Sequence, residues 1–222
     1  MKPRVRSHKR VGPHNHDLLC IIYGTLLGDT HAERRSIGNK NGNGNVNGNG
    51  NGTRISFYQE HTHTEYLLWL HSLMAGLGYC NPKIPVIQTR LGLNGIIRYV
   101  RRFHSFTYTS FNTIHSDWYT NGVKHVPVDI ANYLSPLALA IWISDDGGRV
   151  GSGLKFATNS FTYDDCLRLS LVLYNLYGIR ATVQKAGLPN QFAIYVWAES
   201  MPLLRSIVKP YMVSSMLYKL GE

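Results

Sequence analysis

The sequence predicts an α+β protein that contains two divergent copies of one structural unit. Two nearly all-apolar segments, residues 18–28 and 136–146, have the length of buried helices, and an acidic residue stands at the end of each. The segments that follow them are also alike, because each is typical of a strand, a turn and an amphipathic helix. Each half then offers a further strand and a final helix, so the pattern indicates a divergent tandem repeat.

The first apolar segment, LLCIIYGTLLG, follows Asn15 and Asp17, which can cap a helix. It contains Gly24 and Gly28, and a glycine inside a helix costs up to about 1 kcal/mol relative to alanine. Two glycines at this spacing therefore indicate that another backbone packs closely against that face. The second segment, SPLALAIWISDDGG, begins with Ser135 as a capping residue and a proline in the first turn, and it is the expected partner.

The segments after the two helices show the alternation of half-buried strands. Ile55 and Phe57 in the first half, and Leu154 and Phe156 in the second, alternate with polar residues. We expect these apolar side chains to face the core. The following helix of the first half has core-forming residues at helical spacing, which are Tyr66, Leu67, Leu70, Leu73, Met74 and Leu77.

The composition favours a polyanionic partner. Lys and Arg number 23 against 13 Asp and Glu, which gives a net charge of +10. No uninterrupted apolar run reaches the roughly 18 residues of a membrane-spanning helix, so no membrane partner is expected. The three cysteines, Cys20, Cys80 and Cys166, are far apart and form no CxxC pair. This spacing indicates packing thiols in a reducing compartment instead of a zinc site or a disulfide framework.

Three polar segments have simpler interpretations than a functional site. Residues 1–14 are basic without a following apolar core, so they are expected to form a cationic arm and not a secretory signal. Residues 37–52 form an Asn/Gly-rich insertion with little apolar area, which predicts a mobile loop. The alternating His61 and His63 lack a positioned third ligand and are typical of a polar turn, not of a zinc site.

The two helical segments carry a family resemblance. IIYGTLLGDT, residues 21–30, and LALAIWISDDGG, residues 137–148, resemble the two signature helices of LAGLIDADG homing endonucleases, and the likeness extends over essentially the whole chain. The resemblance implies two αββαββα repeats, residues 15–125 and 126–222, related by a pseudo-twofold axis through the packed motif helices. It also implies a saddle of antiparallel sheets that lies along the DNA major groove.

In that family the eighth letter of the motif is the metal-binding aspartate, which falls on Asp29 and Asp146. Two adjacent carboxylates would raise each other's pKa unless a cation intervened, and oxygen ligands favour Mg²⁺, or Mn²⁺ in its place. We include Gly28 in the predicted metal set for its backbone carbonyl. Asp145 is included as the neighbour of the ligand.

Further active-site residues are implied by the resemblance. Family members carry a basic residue near the end of each repeat, and Lys124 and Lys219 match that pair. Gln59 and Asn159 are weaker polar candidates at the rim of the active site. The predicted DNA contacts are Arg54, Ser56, Tyr58, Arg90, Arg98, Arg101 and Arg102 in the first half and Lys155, Ala157, Asn159, Gln184 and Lys185 in the second.

The function implied is a double-strand break in a long DNA site, made by a monomer, with short 3′ overhangs and a role in intron mobility. The Asn- and Tyr-rich composition resembles organellar intron-encoded members, so a fungal-type mitochondrion is the expected location. Two alternatives stay open, an intron RNA maturase and a catalytically inactive DNA-binding module. Retention of both Asp29 and Asp146 favours cleavage, because adjacent buried carboxylates are costly for a protein that binds no metal.

Overall fold

The computed structural model describes residues 9–35, 52–92 and 95–222. Residues 1–8 of the predicted basic arm lie outside this range, as does the predicted Asn/Gly loop except for its last residue, Gly52. The first half contains α1 (His16–Leu26), β1 (His31–Arg35), β2 (Gly52–Glu60), α2 (Thr64–Gly76), β3 (Ile87–Leu91), β4 (Ile97–His104) and α3 (Phe111–Trp118).

A short hairpin, β5 (Tyr119–Thr120) and β6 (Val123–Lys124), connects the two halves. The second half contains α4 (Pro136–Asp146), β7 (Gly147–Val150), β8 (Gly153–Ala157), α5 (Tyr163–Tyr177), β9 (Ala181–Lys185), β10 (Phe192–Val196) and α6 (Met201–Val208). The helices and strands of the two halves therefore follow the same αββαββα order, which confirms the predicted α+β fold class.

The chain divides into two compact units. Among the described residues, unit 1 comprises 9–14, 30–35, 52–92 and 95–117, and unit 2 comprises 15–29 and 118–222. Helix α1 thus belongs to unit 2, where it packs along α4. The predicted division follows the repeat in the sequence, with an arm of residues 1–14 and repeats of residues 15–125 and 126–222. The compact units are defined by contacts instead, so the predicted division stays a prediction.

Unit 1 contains an antiparallel sheet with strand order β1-β2-β4-β3. Ile55 and Phe57 of β2 are buried as predicted, and Phe57 stacks on Phe103 of β4 with ring centroids 4.4 Å apart. Helix α2 covers this face with buried Tyr66, Leu67, Leu70 and Met74. The prediction of a core position was wrong for Leu77, which is 39% exposed because α2 ends at Gly76.

Unit 2 contains an antiparallel sheet of the equivalent order, β7-β8-β10-β9. Leu154 and Phe156 are buried as predicted, and Trp142 of α4 stacks on Phe156 at 3.8 Å between ring centroids. Helix α5 begins with a capping box formed by Thr162 and Asp165 and ends at Gly178 in a left-handed conformation. These local signals fix the helix that packs against the sheet.

The two motif helices pack through small residues, as the sequence predicts. The Asn15 side chain caps α1 and the Ser135 side chain caps α4. A Cβ atom on Gly24 would lie 2.6 Å from the carbonyl oxygen of Ala138, so the two backbones are in direct contact there. Gly28 is not inside the helix as predicted, because α1 ends at Leu26 and Gly28 lies in the turn that follows.

Several smaller predictions have clear outcomes. The three cysteines are buried free thiols, which confirms their packing role. His61 and His63 lie in a short 3-10 turn before α2. Within the described residues, no helix has both the length and the apolar character needed to cross a bilayer.

Candidate active site

The candidate active site lies in unit 2, where α1 and α4 end. Asp29 is exposed just beyond the end of α1, and Asp146 is the last residue of α4 and half-buried. The helices approach closely at this end, since a Cβ atom on Gly28 would overlap the side chain of Asp145. Gly147 then leaves α4 in an extended conformation and begins β7 directly. Asp29 therefore lies in a turn, whereas Asp146 lies at a helix C-terminus.

The two predicted metal ligands interact electrostatically. Burial, and after it the charge of Asp29, raises the pKa of Asp146, which lies at about 7. Lys124 and Lys219 act against this rise. The site is therefore a place where two negative charges are held together at a cost, which is the condition that a bound cation relieves.

Lys219 is the most buried of the charged groups around this site. Its side chain is 6% exposed, and its Nζ donates to the backbone carbonyl oxygens of Ser144 at 2.5 Å and Asp145 at 2.8 Å. Burial lowers the pKa of Lys219, and the nearby Asp145, Asp146 and Asp29 oppose that shift. The lysine is carried by a 3-10 helix, residues 214–220, which ends at Gly221 in a left-handed conformation.

Lys124 is placed at the end of the β5–β6 hairpin. Asn121 and Gly122 both have positive φ, which is the two-residue turn that Asn-Gly favours between antiparallel strands. The Lys124 Nζ donates to the carbonyl oxygen of Gly28 at 3.3 Å and lies 5.8 Å from the ring centroid of Trp118. Burial lowers the pKa of Lys124 to about 8, while the three aspartates raise it.

The two lysines make equivalent contacts. Lys124 donates to the carbonyl of the residue before Asp29, and Lys219 donates to the carbonyl of the residue before Asp146. The structure thus brings together the four residues that the resemblance singled out, with one lysine on the carbonyl that precedes each aspartate. The carbonyl oxygens that accept these hydrogen bonds belong to Gly28 and Asp145, the other two members of the predicted metal set.

The side chain of Asp145 is turned toward the helix interface. It is 9% exposed, and its Oδ2 accepts a hydrogen bond from the Thr25 hydroxyl at 3.3 Å. This arrangement fits the interpretation of Asp145 as the neighbour of a ligand. Within residues 9–35, 52–92 and 95–222, no group of three or more His, Cys, Asp or Glu side chains is arranged to hold a metal ion. The available donors are carboxylate and carbonyl oxygens, a set that suits a hard divalent cation completed by water or phosphate.

The two rim candidates do not occupy equivalent positions. Gln59 follows the buried Phe57 by two residues, whereas the residue at that place after Phe156 is Thr158. Gln59 is buried in unit 1, where its Oε1 lies 3.2 Å from His63 Nδ1. Asn159 is exposed in unit 2 and lines a groove with Asp146.

Strand pairing places most of the predicted contacts of unit 1 on one face of its sheet. Arg54, Ser56 and Tyr58 share the face opposite α2, and the register of β4 and β3 adds Arg98, Arg102 and Arg90 to it. Two acidic residues are also present there, since Glu33 pairs with Arg54 at 2.7 Å and Glu60 pairs with Arg98 at 2.5 Å.

Arg101 alternates with Arg102 and lies on the other face of the sheet. Its Nη1 donates to the Pro85 carbonyl, and its Nε is buried with no partner in the described part of the chain. The sequence alone grouped Arg101 with Arg98 and Arg102 because all three are basic residues of one predicted strand, and only the strand register separates them.

The second sheet bounds an open groove of about 460 Å³ that begins at Asp146. Lys155 and Ala157 lie on one face of β8, and the pairing of β9 through β10 puts Gln184 on that face and Lys185 on the opposite one. The groove is lined by β7, including the basic Arg149, and by residues of the 186–191 turn, together with Lys155, Ala157 and Asn159. The sequence also contained a hairpin signal that was missed. The Asn121-Gly122 pair favours a two-residue turn and so marks the hairpin that carries Lys124.

The sequence has clear relatives among known proteins. The model of the LAGLIDADG DNA endonuclease family matches residues 19–204. The chain is 49% identical to the cytochrome b mRNA maturase bI2 of Saccharomyces cerevisiae, over 97% of this chain and 50% of that protein. It is also 49% identical to the protein of the same name from Debaryomyces hansenii, over 95% of this chain and 76% of the relative. The chain therefore spans half the length of the first relative.

Two of the solved structures that share this fold are homing endonucleases. The homing endonuclease I-WcaI bound to its DNA recognition sequence matches with a TM-score of 0.77 and 19% identity, over 93% of this chain and 86% of that one. I-DmoI in complex with DNA and Mn matches with a TM-score of 0.52 and 15% identity, over 87% and 96%. At these identities the likeness concerns the fold. With the family model covering most of its length, the chain belongs to the LAGLIDADG DNA endonuclease family.

Proposed function

We propose that the chain is a divalent-metal-dependent endonuclease that makes a double-strand break in a long DNA site. The observation that carries this proposal is the repeated arrangement at the ends of α1 and α4. Each aspartate follows a residue whose carbonyl accepts a hydrogen bond from a buried or half-buried lysine. Two such arrangements in one chain match the requirement of two cuts, one in each strand.

Asp29 and Asp146 would hold the metal, with Mg²⁺ or Mn²⁺ as the fitting ions for an all-oxygen donor set. A divalent ion in this place supplies charge stabilisation to the phosphoryl oxygens and lowers the pKa of a bound water. The raised pKa of Asp146 supports this assignment, because its cause is burial beside another carboxylate. Gly28 contributes a carbonyl that Lys124 also contacts.

Lys124 and Lys219 would act on the phosphate and on the water that attacks it. The lowered pKa of both groups brings them closer to neutral pH, which suits a group that exchanges protons with solvent near a reacting phosphate. Their backbone acceptors hold the ammonium groups in place without neutralising them. Asn159, which lines the groove with Asp146, stays a polar candidate at the rim of the active site.

The DNA would lie on the faces of the sheets that the helices leave uncovered. In unit 1 that face carries Arg54, Arg90, Arg98 and Arg102, and in unit 2 the groove that begins at Asp146 carries Lys155. Small residues in the groove, such as Gly148 and Ala157, leave room for a close approach of the nucleic acid. Arginine and lysine are the side chains that read guanine in the major groove.

A cleavage selection tests this proposal. A library of randomised duplexes would be incubated with the protein and Mg²⁺, and linear products would be recovered and sequenced. We expect one long site to be enriched and both strands to be cut. The double variant Asp29→Asn with Asp146→Asn should give no enrichment while it still binds DNA. Cutting that survives in the double variant, or no cutting by the wild type, contradicts the proposal.

A second candidate function is assistance of intron RNA splicing. The observation that favours it is the 49% identity to two proteins named cytochrome b mRNA maturase. The net charge of +10 fits RNA as well as DNA. A splicing assay with an intron-containing transcript separates the two functions, since the Asp29→Asn and Asp146→Asn double variant should keep RNA activity and lose DNA cleavage.

We further propose that the protein acts as a monomer in a mitochondrion and that the break promotes intron mobility. The two repeats within one chain support the monomer, because each supplies one aspartate and one lysine. The names of the relatives, which refer to cytochrome b messenger RNA, support the organelle. Sedimentation of the protein with and without its DNA would test the monomer directly.

A further inference from the structure

Two arginines of unit 2 hold the backbone beside the two active-site lysines. Arg205 of α6 donates from Nε and from Nη2 to the carbonyl oxygen of Leu220, at 3.0 and 2.8 Å. Leu220 is the residue after Lys219. Arg168 of α5 donates from Nη1 to the carbonyl oxygen of Val126 at 2.8 Å, and Val126 lies two residues after Lys124.

The Lys124 segment is held at both main-chain polar groups of one residue, Val126. The Oδ1 of Asp165 accepts from the Val126 amide at 3.3 Å and from Arg168 Nη1 at 3.2 Å. The pair therefore contacts both the amide and the carbonyl of Val126. Asp165 is itself fixed, because its other carboxylate oxygen completes the capping box with Thr162 at the start of α5. The hairpin that carries Lys124 is thus joined to a rigid helix.

The Lys219 segment is held near the C-terminal end of the described chain. A 3-10 helix such as residues 214–220 has poorer hydrogen-bond geometry than an α-helix, so the contact from Arg205 adds to the interactions that fix it. Arg205 contributes two donors to one carbonyl, and Glu222 lies beside it with 3.9 Å between Glu222 Oε1 and Arg205 Nε. Lys209 pairs with the other Glu222 oxygen at 2.5 Å.

We infer that Arg168 and Arg205 are positioning residues, each of which holds one active-site lysine and so supports the cleavage of one DNA strand. This inference rests on the proposed endonuclease function. A catalytic group displaced by about 1 Å costs on the order of 100-fold in rate, so a loosened lysine slows the cut that it serves. Because Lys124 and Lys219 contact the carbonyls before different aspartates, the two losses fall on different strands.

The experiment uses the full chain, Mg²⁺ and a duplex recovered from the cleavage selection, with a different fluorescent label on each strand. We expect Arg205→Ala to slow the cutting of one strand by roughly 10- to 100-fold. Arg168→Ala should slow the other strand by a similar factor. On a supercoiled plasmid with the same site, both variants should accumulate nicked circles where the wild type gives linear DNA. Arg180→Ala removes an arginine that lies over the Trp197 ring and should leave both rates unchanged.

The conservative variants Arg205→Lys and Arg168→Lys keep the charge and should restore part of the lost rate, and thermal melting would verify that each variant folds. A merely structural role would slow both strands together. Equal slowing of the two strands, or a loss on the same strand in both variants, overturns the inference while leaving the nuclease intact. A wild type that cuts neither strand overturns the proposed function and the inference with it.

Discussion

Gly24 in α1 lies directly against the backbone of Ala138 in α4, and a Cβ atom at Gly24 would stand 2.6 Å from the Ala138 carbonyl oxygen and 2.8 Å from its Cα. Backbone atoms cannot rotate away as a flexible side chain can, so this contact fixes how close the two motif helices approach. The same approach brings Asp29 and Asp146 within electrostatic reach of each other.

Gly24→Ala should destabilise the protein by about 1–3 kcal/mol, because the added methyl group forces the two helices apart. The free energy of unfolding in urea would be compared with that of Gly76→Ala, a variant of the last residue of α2, where no heavy atom lies within 4 Å of the added Cβ. The control should be neutral or more stable by up to about 1 kcal/mol. Equal effects of the two substitutions would show that the helix contact is not as tight as described.

The proposed DNA-contacting face of unit 1 can be tested with two adjacent arginines. Arg102→Ala should weaken binding to an arbitrary duplex in EDTA, because the side chain lies on the face opposite α2. The slope of log K against log salt concentration should become less steep by about the contribution of one phosphate contact. Arg101→Ala should leave the salt dependence unchanged and lower the thermal stability, because Arg101 contacts the Pro85 carbonyl on the other face. A lower salt dependence in Arg101→Ala would contradict the assigned faces.

The sequence was sufficient to locate the two motif helices and the aspartates at or just beyond their C-terminal ends. Apolar periodicity, the caps at Asn15 and Ser135 and the small residue at Gly24 are local or repeated signals, and all of them appear in the structure. Separating Arg101 from Arg102 required the strand register, which is set by pairing between distant segments.

The arginines that hold the lysine segments could not be predicted for the same reason. Arg168 reaches the carbonyl of Val126 and Arg205 reaches that of Leu220, and a side chain that bonds a distant main-chain carbonyl leaves no pattern in a single sequence. Gln59 and Thr158 stand at equivalent positions of the two repeats. This difference could be seen in the sequence, but only after the two strands had been aligned on Phe57 and Phe156.

Unit 1 should lose stability in mild acid. Burial lowers the pKa of His14, His104 and His115 in the folded state. Below the ordinary histidine pKa near 6.5, the unfolded chain takes up protons at these residues more readily than the folded protein does. The stability that each contributes above this pH is therefore lost as the pH falls. With Asp146→Asn as the background, which removes the opposite effect of that carboxyl group, the urea midpoint of the protein should be lower at pH 5.5 than at pH 7.5. The combined variant His14→Gln with His104→Gln should reduce that difference, and an unchanged difference would argue against these two residues as the cause.

Asp146 should have the opposite effect on metal-free protein. Its pKa is raised to about 7 in the folded state, because of burial and then the charge of Asp29, so the folded state binds the proton more tightly than the unfolded chain does. Stability then falls as the pH rises from about 4 through 7, and by pH 8 the ionised carboxylate costs roughly a few kcal/mol. Asp146→Asn removes this cost.

Melting curves in EDTA at pH 8 and pH 4 test the relationship. We expect Asp146→Asn to melt higher than the wild type at pH 8 and at nearly the same temperature at pH 4, where the wild-type carboxyl is protonated in the folded state. Addition of Mg²⁺ at pH 8 should raise the melting temperature of the wild type and have much less effect on the variant, since a ligand that binds only the folded state stabilises it. If Asp146→Asn melted higher than the wild type by the same amount at pH 4 and at pH 8, packing and not the carboxylate charge would explain the difference in melting temperature.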